Sequence, residues 1–135
     1  MICDTIILLM LKTIRVKLLP TQDQKDILLA TMKGVNSACN SISEFAFQNK
    51  VFNRFELQKQ MYRFIRSEHG LGAQITILAC RKVADSYQTS IKRGEELTLH
   101  TYRTRGAIAY DSRVYSIRDT MVSIWTLNGR IKVPI

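Results

Sequence analysis

Hydrophobic and polar residues alternate near the start of the chain. Between residues 12 and 18 this alternation places Ile14, Val16 and Leu18 on one face of an extended strand and basic side chains on the other. A single strand is not stable in water, so its apolar face needs a partner. We therefore expect residues 12–18 to be hydrogen-bonded to strands near the end of the chain.

The pattern then changes to helical spacing. Thr21 and Gln24 have the spacing of a capping box, in which the hydroxyl and the amide each satisfy a free backbone donor. Apolar residues recur at three- and four-residue steps from there to about residue 48. We predict one long amphipathic helix, with Gly34 as the candidate position for a bend.

Two further helices are predicted before the period changes again. Asn53 and Glu56 repeat the capping pattern and open a helix that ends near residue 67, before Gly70 and Gly72. A third helix covers about residues 73–92, with Gly94 placed to end it in a left-handed conformation. The residues expected to face inward are Leu57, Met61, Phe64 and Ile65 in the second helix and Leu78, Val83, Tyr87 and Ile91 in the third.

After residue 96 the hydrophobic period becomes two, which is typical of strands. The candidate strands are residues 99–103, 107–110, 114–118, 121–126 and 130–135. Asn128-Gly129 predicts a hairpin with a two-residue type I′ turn, which needs positive φ at both central positions. The final strand then carries Ile131 and Val133 on one face and Arg130 and Lys132 on the other.

The order of elements indicates an α+β fold. Pairing the first strand with the later strands gives a small antiparallel β-barrel made of residues 12–19 and 95–135, whose closure would hide the edges of the sheet. Residues 20–94 would be a three-helix bundle inserted into that barrel. Residues 1–11 are predicted to be an N-terminal extension.

Charge adds a candidate partner. Twenty Lys and Arg against eleven Asp and Glu give a net charge of +9 in a chain of otherwise ordinary globular composition. Residues 101–135 are the most basic part, with six basic and two acidic residues. Such an excess favours polyanions through counterion release, so nucleic acid is the first partner to consider. Basic faces that are merely solvated remain the alternative.

Two groups of basic residues are candidates for nucleic-acid binding. Lys59, Arg63 and Arg66 lie at i, i+4 and i+7 and therefore share one face of the second helix. In the predicted strands, aromatic residues are interleaved with basic ones, as in barrel domains that hold nucleic acid. We expect Trp125 in the core and Tyr102 to be the more exposed aromatic. The basic residues of this second group are Arg103, Arg105, Arg113, Arg118, Arg130 and Lys132.

The sequence offers no pattern for catalysis, a cofactor or a metal. Cys3, Cys39 and Cys80 are far apart, and neither His69 nor His100 completes a metal-ligand spacing with them. Asp111 is expected to make a side-chain bond within a turn. Free thiols and an apolar run of only six residues, 6–11, predict a cytoplasmic protein without a membrane partner.

Four segments of the chain resemble the N-terminal region of TnpB proteins, transposon-encoded RNA-guided nucleases related to type V CRISPR effectors. They are T-I-R-V-K-L-L-P-T-x-x-Q at residues 13–24, R-K-V-A-D-S-Y at 81–87, A-Y-D-S-R at 109–113 and V-S-I-W-T-L-N-G-R-I-K-V-P at 122–134. The resemblance covers nearly the whole chain from residue 12. The last segment is the most specific.

The resemblance implies a β-barrel wedge domain interrupted by a helical recognition domain. In this family these domains hold the guide RNA and help to read the motif beside the double-stranded DNA target, while a RuvC-like domain farther along cleaves DNA with divalent metal. The acidic residues and zinc-ribbon cysteines of that domain have no counterpart here. We therefore expect binding without nuclease activity, unless a separate RuvC-like domain supplies it.

Two alternatives stay open. A small basic DNA-binding regulator would need a short turn that places a recognition helix in the DNA groove. A mobile-element remnant or protein-interaction module would have no nucleic-acid role.

Overall fold

The computed structural model describes residues 15–135, and within them the chain has the predicted α+β composition. Three helices come first: α1 (Gln22–Asn49), α2 (Arg54–His69) and α3 (Ala73–Lys92). Three strands follow: β1 (Tyr115–Arg118), β2 (Met121–Thr126) and β3 (Gly129–Pro134). Residues 1–14, including the predicted extension and the start of the predicted first strand, lie outside the described residues.

The predicted capping box opens α1. The Thr21 hydroxyl accepts from the backbone N–H of Gln24 at 3.2 Å, and the Gln24 side chain accepts from the Thr21 N–H at 3.0 Å. The helix continues without interruption through Gly34. A Cβ at that position would lie 3.2 Å from the Leu127 side chain, so Gly34 allows close contact between α1 and the hairpin.

Local signals also set the ends of α2 and α3. The Asn53 side chain accepts from the backbone N–H groups of Phe55 and Glu56, and Gly94 has a φ of 68° after the end of α3, as predicted. Two expected core residues are exposed instead: Phe64 keeps 49% of its surface and Ile91 keeps 42%.

The core lies between the three helices. α2 contributes Leu57, Met61 and Ile65, which recur every four residues and are enough to cover its inner face. This spacing leaves Phe64 on the flank of the helix. The other fully or almost fully buried apolar residues of the bundle are Val35, Ala38, Cys39, Ile42, Ala46, Leu71, Ile75, Ala79, Cys80, Val83, Ala84 and Tyr87.

Within residues 15–135 the strands form an antiparallel sheet in the order β1-β2-β3, and this sheet is not closed into the predicted barrel. The β2–β3 hairpin is confirmed, but its turn differs from the predicted type. Of the two predicted turn residues only Gly129 has positive φ, at 93°. The Thr126 hydroxyl accepts from the Asn128 N–H at 3.2 Å, which stabilises this alternative turn.

The predicted strands 99–103 and 107–110 are wrong, because residues 95–114 contain no strand. Side chains of the helices satisfy this backbone instead. Asn40 donates to the Tyr102 carbonyl and accepts from its N–H, at 3.0 and 2.7 Å. Asn36 donates to the Thr104 and Gly106 carbonyls. The segment is therefore satisfied by helix side chains without being part of a sheet, and alternation alone could not distinguish this from a barrel strand.

The predicted pairing of residues 12–18 with the C-terminal strands is wrong in the described part, because residues 15–18 make no backbone hydrogen bond to those strands and Val16 keeps 46% of its surface exposed. Residues 15–19 are not a strand, and the Leu19 N–H donates to the Pro134 carbonyl at 2.8 Å. Close by, the Gln24 side chain donates to the Lys132 carbonyl at 2.8 Å. The start of α1 thus covers part of the free edge of β3, which a barrel strand would otherwise occupy.

Candidate nucleic-acid interface

The antiparallel register divides the sheet into an apolar face and a basic face. Val122 pairs with Val133 and Ile124 with Ile131, so these side chains share the face that contacts α1. The opposite face, which we call the basic sheet face, carries the alternate residues of the three strands. They are Ser116, Arg118, Met121, Ser123, Trp125, Arg130, Lys132 and Pro134.

The basic sheet face is an open groove of about 650 Å³. Asp119 is the single acidic residue that lines it within the described part of the chain. Arg118, Arg130 and Lys132 are exposed, so their charges face solvent. The groove therefore combines three cations and two serine hydroxyls on one surface, a composition suited to phosphate groups.

Arg130 is held in place across this face. Its Nε donates to Ser123 Oγ at 2.7 Å, and its Nη1 donates to the Arg113 carbonyl at 3.2 Å. A guanidinium that is already fixed loses less side-chain entropy when it binds a ligand. Arg130 is consequently the most preorganised cation of the groove.

Arg113 joins the sheet to the start of α3. Its Nη1 donates to Gln74 Oε1 at 3.0 Å, and Gln74 Nε2 donates to Asp111 Oδ2 at 2.8 Å. The other Asp111 oxygen accepts from the Arg113 N–H at 3.0 Å, which confirms the predicted turn bond. Arg113, Arg130 and Lys132 from the sequence-predicted set thus lie on or beside one sheet.

Trp125 is half-buried and packs against the helical core, as expected. A Cβ on Gly72 would lie 3.1 Å from the indole Nε1, so the glycine allows the ring to contact the α2–α3 turn closely. Tyr110 donates its hydroxyl to the Trp125 carbonyl at 2.8 Å, and burial raises the pKa of Tyr110 to about 12. These contacts make Trp125 an anchor between sheet and helices rather than a free stacking platform.

Tyr102, Arg103 and Arg105 lie away from the sheet, in the segment clasped by Asn36 and Asn40. The Tyr102 hydroxyl donates to Ser86 Oγ at 3.0 Å, and its ring is half-buried with Lys82 Nζ 5.3 Å from the centroid. Burial raises the pKa of Tyr102 to about 12. The structure does not bring these three residues together with Arg113, Arg130 and Lys132.

The predicted basic stripe on α2 is present and solvent-exposed at all three positions, Lys59, Arg63 and Arg66. The Arg66 guanidinium carbon lies 5.7 Å from the Tyr62 ring centroid, and its Nε donates to the Leu71 carbonyl at 3.4 Å. This second basic surface belongs to α2 and ends at the turn before α3.

Phe55, on the same helix, was not among the site residues predicted from sequence. Its side chain is 68% exposed, and the Arg54 guanidinium carbon lies 5.0 Å from the centre of its ring. Phe55 is four residues before Lys59, outside the apolar stripe formed by Leu57, Met61 and Ile65. An aromatic residue out of phase with the apolar stripe was the signal that could have identified it.

The buried thiols show no sign of activation. Burial raises the pKa of Cys39 to about 11 and that of Cys80 to about 12. Both therefore remain neutral thiols at physiological pH. Within residues 15–135, no three His, Cys, Asp or Glu side chains are grouped closely enough to hold a metal ion.

Scans against protein-family models, curated proteins and solved structures found no match to this chain. The resemblance to TnpB proteins therefore stays a prediction. Among the described residues, none of the helices has the length and apolar character needed to cross a membrane.

Proposed function

We propose that this chain is the guide-RNA- and target-DNA-binding part of a TnpB-type RNA-guided nuclease and does not cleave nucleic acid by itself. The basic sheet face carries the proposal, because it gathers Arg118, Arg130 and Lys132 around two serine hydroxyls with one carboxylate beside them. Cations grouped on one surface release counterions when they neutralise phosphates, and this supplies affinity independently of sequence.

The exposed α2 stripe supports a second contact with the same nucleic acid. Lys59, Arg63 and Arg66 project from a rigid helix whose inner face is fixed by buried Leu57 and Ile65. Positions on a helix are held more precisely than positions on a loop, so this stripe could follow a phosphate backbone without any ordering of its main chain. The RuvC-like catalytic domain that cleavage requires is proposed to be supplied elsewhere.

The proposal is tested by neutralising the sheet face. In the double variant Arg118→Gln, Lys132→Gln, we expect weaker binding to a structured RNA and a log–log salt slope reduced by about 1.5, since each lost phosphate contact contributes about 0.7 to 0.9. The control is Lys25→Gln, Lys33→Gln on α1, which removes the same charge from exposed positions. Affinity is measured by fluorescence anisotropy at several salt concentrations.

Equal slopes for the two double variants would show that the sheet face is only solvated, and the proposal would fail. Tighter binding to duplex DNA than to structured RNA would favour a DNA-binding regulator. A wild-type chain with no salt-dependent affinity for either nucleic acid would fit a remnant without this function.

A further inference from the structure

Phe55 is an exposed aromatic residue in the first turn of α2, a helix whose opposite side packs against the rest of the bundle. Leu57 and Ile65 of α2 are fully buried, whereas Phe55 leaves 68% of its surface in contact with water. Exposing a large aromatic ring forgoes the burial that normally stabilises it. Nothing in the packing of the described bundle requires an aromatic side chain at this position.

The surroundings of Phe55 are cationic. Arg54 lies over its ring, with 5.0 Å between the guanidinium carbon and the ring centre, and Lys59 follows one turn later on the same face. Tyr62 lies two turns after Phe55, about 10 Å along the helix. The Arg66 guanidinium carbon is 5.7 Å from the centre of the Tyr62 ring. We call Phe55, Lys59, Tyr62 and Arg66 the α2 outer face.

We infer that the α2 outer face binds unpaired nucleotides, with a base stacked on Phe55 and the cations holding the adjacent phosphates. The inference rests on the proposed function and specifies its ligand: a single-stranded stretch of nucleic acid rather than a duplex. Aromatic rings accept any base because every base has a π face, and they need that base to be unstacked from its own helix.

Charge argues for this occupant over an apolar protein surface. On this face the aromatic rings of Phe55 and Tyr62 lie next to the cations Lys59 and Arg66. The whole of α2 has four basic and two acidic residues. Of the acidic residues, Glu56 accepts a hydrogen bond from Gln60 at 3.0 Å and lies beside the stripe rather than within it. Burying two cations against an apolar partner would be costly, whereas a polyanion compensates them.

The decisive variant is Phe55→Ala, matched by Phe64→Ala on the same helix. Phe64 is 49% exposed but lies on another side of α2, near His69, with 6.3 Å between the ring centroids. We expect Phe55→Ala to weaken binding of a fluorescein-labelled single-stranded RNA about 5- to 50-fold and to leave the salt slope unchanged, because stacking involves no ion release. Phe64→Ala should change affinity less than about twofold.

Two further measurements complete the test. Phe55→Trp should retain or increase single-strand affinity, because the larger ring stacks at least as well, and binding of a fully paired RNA duplex of equal length should be insensitive to Phe55→Ala. Circular dichroism and urea midpoints close to wild type would show that the variants fold.

The outcomes separate this inference from the proposed function. If Phe55→Ala and Phe64→Ala bind single-stranded RNA equally well while Arg118→Gln, Lys132→Gln still lowers the salt slope, the stacking inference is wrong and the proposed function stands. If Phe55→Ala leaves RNA affinity intact and removes self-association of the chain, the face is a protein contact. A wild-type chain that binds no RNA would overturn both.

Discussion

Four side chains have weakly acidic groups that are buried or half-buried and uncharged: the thiols of Cys39 and Cys80 and the hydroxyls of Tyr102 and Tyr110. Burial raises the pKa of Cys39 to about 11 and the pKa of each of the other three to about 12. Ionising them requires a charge to leave water, so all four favour the protonated chain in the folded state. At the residue scale the helical core is thus built to stay uncharged.

These shifts predict alkaline destabilisation. The ordinary pKa is 9.0 for a cysteine thiol and 10.0 for a tyrosine hydroxyl, so the unfolded chain loses these protons before the folded chain does. Because the folded pKa values are raised, the contribution to stability is complete below about pH 9 and is lost as pH rises toward 12. The urea midpoint should therefore stay near its neutral value up to about pH 9 and fall between about pH 9 and pH 12.

The same titration provides a direct check on the tyrosines. Absorbance of the folded chain should show some tyrosines ionising well above pH 10, and those should titrate normally in urea. A midpoint that stays constant from about pH 9 to pH 12 would contradict the prediction.

At the scale of elements, short polar signals define where helices begin. The Asn53 side chain is the clearest case, because its oxygen accepts from Phe55 N–H at 3.0 Å and from Glu56 N–H at 3.1 Å. Those donors have no partner inside the helix, so the cap satisfies two of the free N–H groups at the start of α2. The same logic identified Thr21 at the start of α1.

Replacing Asn53 by Ala should cost about 1 kcal/mol of stability, because two N–H groups lose their acceptor. Urea denaturation followed by circular dichroism measures this loss. Gln60→Ala is the control, since its exposed amide bonds only to Glu56 within the helix, and it should change stability by less than about 0.5 kcal/mol. Equal effects of the two substitutions would show that the cap is unimportant.

At the scale of the whole molecule, the segment 95–114 joins helices to sheet. Asn40 clasps both backbone groups of Tyr102, and the buried Tyr87 hydroxyl accepts from the His100 N–H at 3.1 Å and is 2.8 Å from Ser43 Oγ. Polar side chains of the bundle therefore supply the backbone hydrogen bonds that a neighbouring strand would otherwise make. This arrangement fixes the segment that leads into β1, while the sheet itself contacts α1.

Asn40→Ala should loosen this segment, because a backbone donor and acceptor lose their partners at a cost of about 2 kcal/mol. Arg103 and Arg105 are exposed in that segment, so brief trypsin treatment should cut there faster in the variant than in wild type. Asn49→Ala, which removes a bond to Phe45 within α1, is the control and should leave cleavage unchanged. Identical cleavage patterns in all three proteins would contradict the clasp.

The sequence by itself determined the features that depend on neighbours along the chain. Short-range hydrogen bonding and backbone sterics explain the caps at Thr21 and Asn53 and the left-handed Gly94. They also explain the existence of the β2–β3 hairpin. Strand alternation likewise placed Arg130 and Lys132 on one face, because side chains on a strand point to opposite sides with a period of two.

Only the tertiary structure decided what lies opposite each element. Residues 99–103 alternate like a strand, yet Asn40 of α1 binds their backbone, and no local signal could show that the partner is a helix side chain. The exposure of Phe55 and Phe64 depended in the same way on how little of α2 the other helices cover. Local rules set conformation, whereas partners distant in sequence decided the pairing, burial and grouping of charges.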